Sequence, residues 1–259
     1  MSADRALADH VAVVTGGGTG IGLATARRLG ADGARVVLAS RDPEHLAAGE
    51  RALRDDGVPV LTVPTDVRKP EQVDTLVERS VAEFGRVDIL INNAAGNFIC
   101  KAEDGWNAVV DIVLNGSFYC ARAIGRHLID RGAGGAIVSI LANYVWTGSP
   151  GTIHSAAAKG GVQSMTQTLG VEWARHGIRV NAVAPGAVES PGAARQLWST
   201  PEAVARITGR VPLQRWAQPE EIAETVAFLA SSRAGYITGE TITIDGGAWL
   251  GGGTFGFEV

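Results

Sequence analysis

Only three lysines and three tyrosines occur in 259 residues: Lys69, Lys101 and Lys159, and Tyr119, Tyr144 and Tyr236. The search for proton donors and fixed cations is therefore short. Ser155 and Lys159 are four apart, a spacing that places a hydroxyl and an ammonium on one face of a helix. Tyr144 stands just beyond an apolar run, Ala136–Leu141, of the kind that forms a buried strand. A second chemistry-bearing element lies near the start, in Thr15-Gly-Gly-Gly-Thr-Gly-Ile-Gly22. Gly16 permits a tight turn, Gly20 a close backbone approach to a pyrophosphate, and Gly22 close packing. The N–H groups of Thr19, Gly20 and Ile21 would face the phosphates where the first helix opens.

The residues after the second apolar run bear on which dinucleotide fits. A site for NAD usually places an acid there to bond the ribose 2′-hydroxyl. This chain has Ser40-Arg41-Asp42 instead. Arg41 suits a 2′-phosphate through charge-assisted hydrogen bonds. Asp42, directly before Pro43, is explained equally well as a helix cap. NADP(H) is the expected cofactor.

Seven short apolar runs provide the scaffold: Val11–Thr15, Arg35–Ala39, Val60–Val63, Val87–Ile91, Ala136–Leu141, Arg179–Val183 and Thr241–Ile244. Their Val and Ile content without polar alternation suits strands buried on both faces. Amphipathic stretches lie between them, around 21–31, 43–55, 71–84, 105–131, 154–175 and 219–231. This alternation predicts an α/β class protein: one Rossmann-type domain over 1–259, a doubly wound, seven-stranded parallel sheet with helices on both faces. Pro185 to Pro219, with prolines also at 191, 201 and 212, breaks the rhythm and is expected to be an irregular substrate lid over about 186–218.

Composition removes several alternatives. Glycine, 34 residues or about 13%, is nearly twice the usual ~7%, yet no Gly-X-Y period accompanies it. A net charge of −4 offers no basic footprint for nucleic acid. Two cysteines, Cys100 and Cys120, make neither a disulfide framework nor a four-ligand zinc site, and no metal is expected. The N-terminal residues carry acids where a signal peptide would be apolar, and no uninterrupted apolar run approaches a membrane span. The expectation is a cytoplasmic protein without membrane or nucleic-acid partners.

Taken in order, the motifs resemble the short-chain dehydrogenase/reductase family over nearly the whole chain. Beside the glycine loop there are Asp66-Val67, where the family's acid contacts adenine, and Asn92-Asn-Ala-Ala-Gly96 after the fourth strand. Asn115 in the next helix, Ile178-Arg-Val-Asn-Ala-Val-Ala-Pro-Gly186 and Asp245-Gly-Gly247 complete the set. The resemblance adds Asp66, Val67, Asn93, Ala94, Gly96, Lys159, Pro185 and Gly186 to the cofactor site. One signature departs from the common form, a Tyr-x-x-x-Lys helix with a serine thirteen residues before the tyrosine. Lys159 is present, but Ser155 and Ala142 occupy the other two positions.

Asn93 to Cys100, Asp111 to Gly116 and Ile153 to Lys159, with tyrosine displaced to Tyr144, resemble a branch of that family, the flavin-free 2,4-dienoyl-CoA reductases. That resemblance implies NADPH-dependent reduction of a dienoyl thioester to a 3-enoyl-CoA in unsaturated fatty-acid β-oxidation, without flavin. Hydride would add at the δ-carbon, and Tyr144 and Asn115 would hold the dienolate at the thioester oxygen, in the manner of an oxyanion hole. Lys159 would bond the nicotinamide ribose. Ser155 would bond cofactor or substrate, or relay a proton; a helix-cap role for it is equally open. Phe98 and Trp146 are candidates to line an acyl channel, and Arg195, Arg206, Arg210 and Arg215 to meet the phosphates of an acyl-CoA. His154 is set aside as structural. A homotetramer is implied, with the apolar stretch Ala248–Phe257 between subunits. The rivals are another NADP-dependent enone or ketone reductase and a catalytically silent NADP-binding scaffold.

Overall fold

A computed structural model describes residues 5–96, 105–189 and 200–251. Seven strands, β1 (Val11–Thr15), β2 (Arg35–Ser40), β3 (Val60–Pro64), β4 (Ile89–Asn92), β5 (Gly135–Ile140), β6 (Ile178–Pro185) and β7 (Thr241–Ile244), form one sheet ordered β3-β2-β1-β4-β5-β6-β7. Every pairing is parallel. The order reverses between β1 and β4, so the loops after these two strands open a crevice at the switch point.

Successive strand residues serve opposite faces, as the pleat requires. Ala12, Val14, Val36, Leu38, Ile89 and Ile91 pack with α1 (Gly20–Ala31), α2 (Pro43–Asp55) and the C-terminal helix through Leu29, Leu46, Leu53 and Val226. Val11, Val13, Val37, Leu90 and Ile137 pack on the other side against Val73 and Leu76 of α3 (Pro70–Phe84) and Cys120, Ile124 and Leu128 of α5 (Gly116–Arg131). The expected two-faced core is what the structure has.

The stretch expected as one helix over 105–131 is divided. A short α4 (Trp106–Val110) runs into a π-type turn, Asp111–Asn115, before α5. The Gly116 N–H reaches back five residues to the Asp111 carbonyl, which widens the turn. A Cβ at 116 would lie 2.6 Å from Val67, so glycine lets the helix approach the β3–α3 loop. Trp106–Arg131 as a whole is long and apolar enough, by length and composition, to cross a membrane, although no apolar run in the sequence suggested a span. Its apolar side packs on the sheet through Cys120, Ala121, Ile124 and Leu128.

The lid needs a second correction. It is not irregular throughout, because α7 (Pro201–Thr208) forms within it. Thr200 caps that helix by accepting the Ala203 N–H at 3.2 Å, with proline at the first helical position and Glu202 in the first turn. Two backbone bonds close the lid's base, Glu189 N–H to the Ala217 carbonyl and Ala217 N–H to the Ala187 carbonyl. Among the described residues the remaining α-helices are α6 (Ile153–Glu172) and α8 (Pro219–Ala230). Arg179 on β6 donates to the carbonyls of Leu229, Ala230, Ser231 and Ala234, closing the C-terminal end of α8 with a half-buried guanidinium.

Candidate active site

The crevice after β1 and β4 has a volume of about 730 Å³. Of the residues expected at the cofactor, Gly16, Thr19, Gly20, Ile21, Arg41, Val67, Asn93, Ala94 and Gly96 line it. Gly16 and Gly20 have φ of +63° and +52°, conformations that a side chain would strain. A Cβ on Gly22 would stand 2.3 Å from the Gly16 carbonyl oxygen and 2.5 Å from Asn93 Nδ2, so the loop closes only over glycine. Thr19 caps α1 with no side-chain bond, and α1 has no acid in its first turn. By contrast α2, α3, α7 and α8 carry Glu44, Glu71, Glu202 and Glu220 there. The end of α1 therefore offers donors and positive potential to an anion, and the cleft fits a dinucleotide pyrophosphate.

Asp42 is a cap: its Oδ1 accepts the N–H groups of Glu44 (2.8 Å) and His45 (3.3 Å). Arg41 is thus the group that characterises this end of the cleft, and His45, which the sequence reading missed, lines it as well. Asn93 acts on the loop itself, since its Nδ2 donates to the carbonyls of Thr15 (3.0 Å) and Gly16 (3.1 Å). Thr15 was missed too. Its hydroxyl accepts the N–H groups of Asn93 and Ala94, both at 3.0 Å, and so ties the two crevice loops together.

Four expected cofactor residues, Asp66, Lys159, Pro185 and Gly186, lie off the crevice wall. Asp66 is gripped by Arg68, whose Nε is 2.9 Å from Oδ1. The Arg68 hydrogen bonds hold its carboxyl below the usual carboxylate range, against a smaller opposing effect of burial. Pro185 and Gly186 end β6, and a Cβ on Gly186 would meet Asp245 at 2.7 Å. That glycine is required by packing.

The structure brings Tyr144, Ser155 and Lys159 together. Tyr144 sits on a 3₁₀ turn, Asn143–Val145, just past β5. Its hydroxyl is 2.8 Å from the Ser155 hydroxyl, and either may be the donor. Ser155 is fully buried in the first turn of α6, two residues inside the helix, so the cap reading does not hold. Lys159, one turn along, donates from Nζ to the Leu141 carbonyl at 2.8 Å. The phenol missing from position 155 is thus replaced by one arriving from the loop, with its oxygen at that helix position.

Asn115 makes no hydrogen bond to these three. Its Nδ2 donates to Asp111 Oδ1 at 2.8 Å. Val113, two residues earlier and on the opposite side of the turn, packs instead with Leu141, Ala158 and Val145 next to the trio. A widened turn alters which side chains face a neighbour, and position in the sequence alone did not reveal it. Trp146 is two-fifths exposed, with its indole N–H 3.3 Å from Thr243 Oγ1. Phe98, Cys100 and Arg195 lie outside the described residues. Arg215 is committed to Glu221 by two 2.7 Å bonds, which leaves it poorly placed for a phosphate.

Residues 16–248 match a family model described as enoyl-(acyl carrier protein) reductase. The chain belongs to the short-chain dehydrogenase/reductase family. It is 45% identical over 243 residues to a Bacillus subtilis protein described as "Probable 2,4-dienoyl-CoA reductase", (2E)-enoyl-CoA-producing, covering 92% of this chain and 96% of that one. A peroxisomal 2,4-dienoyl-CoA reductase from Danio rerio, (3E)-enoyl-CoA-producing, is 39% identical, covering 94% and 83%. A solved short chain dehydrogenase from Bacillus anthracis superposes with a TM-score of 0.85 at 45% identity, covering 95% and 98%. This short-chain dehydrogenase/reductase is accordingly an oxidoreductase, and its crevice has the form that a nicotinamide dinucleotide requires.

Proposed function

We propose that the protein reduces a 2,4-dienoyl-CoA with NADPH, and that the Tyr144–Ser155–Lys159 cluster does the acid work. The observation that carries this reading is the Tyr144–Ser155 hydrogen bond, with Lys159 one helical turn beyond. A bound NADPH supplies the hydride, which the δ-carbon of the diene accepts. Negative charge then runs to the thioester oxygen, several bonds from the carbon attacked. Tyr144, reaching in from the loop, donates its O–H to that oxygen. Asn115, proposed from the sequence as the second donor, acts at one remove by bracing the π-type turn through Asp111. Proton delivery to the α-carbon, with Ser155 as relay from water, leaves a double bond at the 3-position; delivery to the γ-carbon would leave it at the 2-position.

The acyl-CoA substrate, a role in breaking down unsaturated acyl chains, cytoplasmic residence and a homotetramer belong to the same proposal. Its support is the similarity to proteins described as dienoyl-CoA reductases. An enone or ketone reductase is the second reading; the chain is also 36% identical to a Streptomyces niveus protein described as short-chain reductase protein NovJ, a name that specifies no dienoyl-CoA. Purified protein mixed with NADPH and 2,4-hexadienoyl-CoA should consume the dienoyl chromophore and NADPH in equal amounts, and NMR of the product should show a 3-enoyl thioester. Turnover confined to simple enones or ketones would transfer the assignment to the second reading. Cofactor binding without turnover of any of these would leave a scaffold.

Arg41 gives a second expectation. A charge-assisted bond to the 2′-phosphate contributes about 1.5–3 kcal/mol, roughly a 10- to 150-fold preference for NADPH over NADH. Arg41→Ala should erase most of that ratio in kcat/KM while leaving kcat nearly unchanged. Equal constants for the two cofactors in the unaltered protein would remove Arg41 from the argument.

A further inference from the structure

Tyr144 projects from a three-residue turn, so no long helix aims its ring. Residues on both sides of it are instead tied to the end of β7. Asn143 Nδ2 donates to Asp245 Oδ2 at 3.1 Å. Trp146 donates from its indole to Thr243 and lies against the Trp249 ring, with centroids 5.9 Å apart and planes inclined by 35°. The nearly buried Asp245 carboxylate is completed by the N–H groups of Gly247 (3.0 Å) and Trp249 (2.8 Å), so it is itself held rigidly. The Gly186 backbone lies against the same residue, where an added Cβ would meet the Asp245 Cβ at 2.7 Å.

We propose that the segment Thr243–Trp249 is a strap that positions Tyr144, with Asn143 and Asp245 as its positioning residues and Thr243 and Trp146 as its second tether. The proposal rests on the reading of Tyr144 as the donor. A donor to developing charge must be held within about 0.5 Å of its productive place, and a loop achieves this only with outside support. On α6 the helix backbone would have given that support. From the loop, the contacts at 143 and 146 supply it, while the Ser155 bond fixes the far end of the ring. The Asp245-Gly-Gly247 motif thereby acquires a part in catalysis, although none of its atoms needs to touch substrate.

The test uses Asn143→Ala, Thr243→Val and their combination, which cut the tethers without stripping the Asp245 carboxylate of its backbone bonds. The combined variant should lose roughly tenfold in kcat, a usual size for removing supporting contacts, with the acyl-CoA KM and NADPH binding within twofold. Placed in a Tyr144→Phe background, the same two changes should have no further effect on kcat. An equal loss there would mean that they act through general destabilisation, and would overturn the proposal. NMR of the full chain with 13Cζ-labelled tyrosine, recorded without substrate, supplies a readout independent of turnover. The Tyr144 resonance, identified by its disappearance in Tyr144→Phe, should shift or broaden in the combined variant while those of Tyr119 and Tyr236 stay in place. An unmoved Tyr144 resonance would defeat the strap. An unaltered protein inactive on dienoyl-CoA would defeat only the functional reading, because the resonance decides the strap on its own.

Discussion

Tyr144→Phe should lower kcat for dienoyl-CoA reduction by about 10²–10³-fold, equivalent to about 2.7–4 kcal/mol of transition-state stabilisation. The change removes one oxygen and keeps the ring, so packing on the Asn143–Val145 turn is preserved. Tyr144 is not among the residues lining the dinucleotide crevice, so the dissociation constant for NADPH should stay within about twofold. The acyl-CoA KM should change little, because the phenol is needed where charge collects in the transition state and much less by the neutral ground state. Ser155 loses its partner in the variant. A serine hydroxyl is a far weaker acid than a phenol of pKa near 10, so it does not restore the donor. Single-turnover mixing of the NADPH complex with hexadienoyl-CoA isolates this step from product release. Near-normal turnover in Tyr144→Phe would remove the phenol from the mechanism.

Asp88→Asn should cost about 2–4 kcal/mol of folding stability near neutral pH, the range for breaking a buried ion pair reduced for arginines that keep some exposure. The Asp88 side chain is 3% exposed, at the base of the sheet just before β4. It accepts from Arg86 at 2.7 Å, Arg131 at 2.6 Å and the Val11 N–H at 2.9 Å. Burial by itself would raise its pKa, but Arg86, the Val11 N–H and Arg131 together outweigh burial and hold it below the ordinary value. A carboxylate depressed in the folded state stabilises fully above its unfolded pKa of about 3.9, and that contribution is lost as pH falls through the folded value. Nearby His127 accepts the Val87 N–H at 3.2 Å. Burial, and then Arg131, pull its pKa below the ordinary value. Its share of the stability is present above about pH 6.5 and declines as the solution becomes more acidic. Urea midpoints between pH 7 and 3 should therefore decline first below about 6.5 and then more steeply below about 4. In Asp88→Asn the starting value is lower and the second decline is shallower, because other depressed carboxylates such as Asp66 remain. An unchanged acid profile in the variant would refute this account of the buried cluster.

What the sequence determined by itself was everything that repeats or acts locally. Alternating apolar runs and amphipathic stretches specified a doubly wound parallel sheet, because burial on both faces writes itself into each strand. The glycines of Thr15–Gly22 announced a phosphate loop, since a side chain is strained at φ of +63° at Gly16 and does not fit at Gly22. The shared face of Ser155 and Lys159 followed from helical period, and the capping role of Asp42 from its place before Pro43. The lid helix Pro201–Thr208 was also written locally, in Thr200-Pro201-Glu202, and was obscured by the prolines around it.

Tertiary structure alone decided where side chains met across distant segments. The bond between Tyr144 and Ser155 joins a strand-end turn to a helix, and the spacing of eleven residues cannot give its direction. Val113 of the π-type turn likewise meets Leu141 after β5 and Ala158 of α6, segments far apart in the chain. Asn143 was taken by Asp245 across 102 residues, a partner that only the closed fold brings within reach. Periodicity records which face is buried; the contacts made there depend on loops and helix turns whose geometry is settled only when all the layers pack.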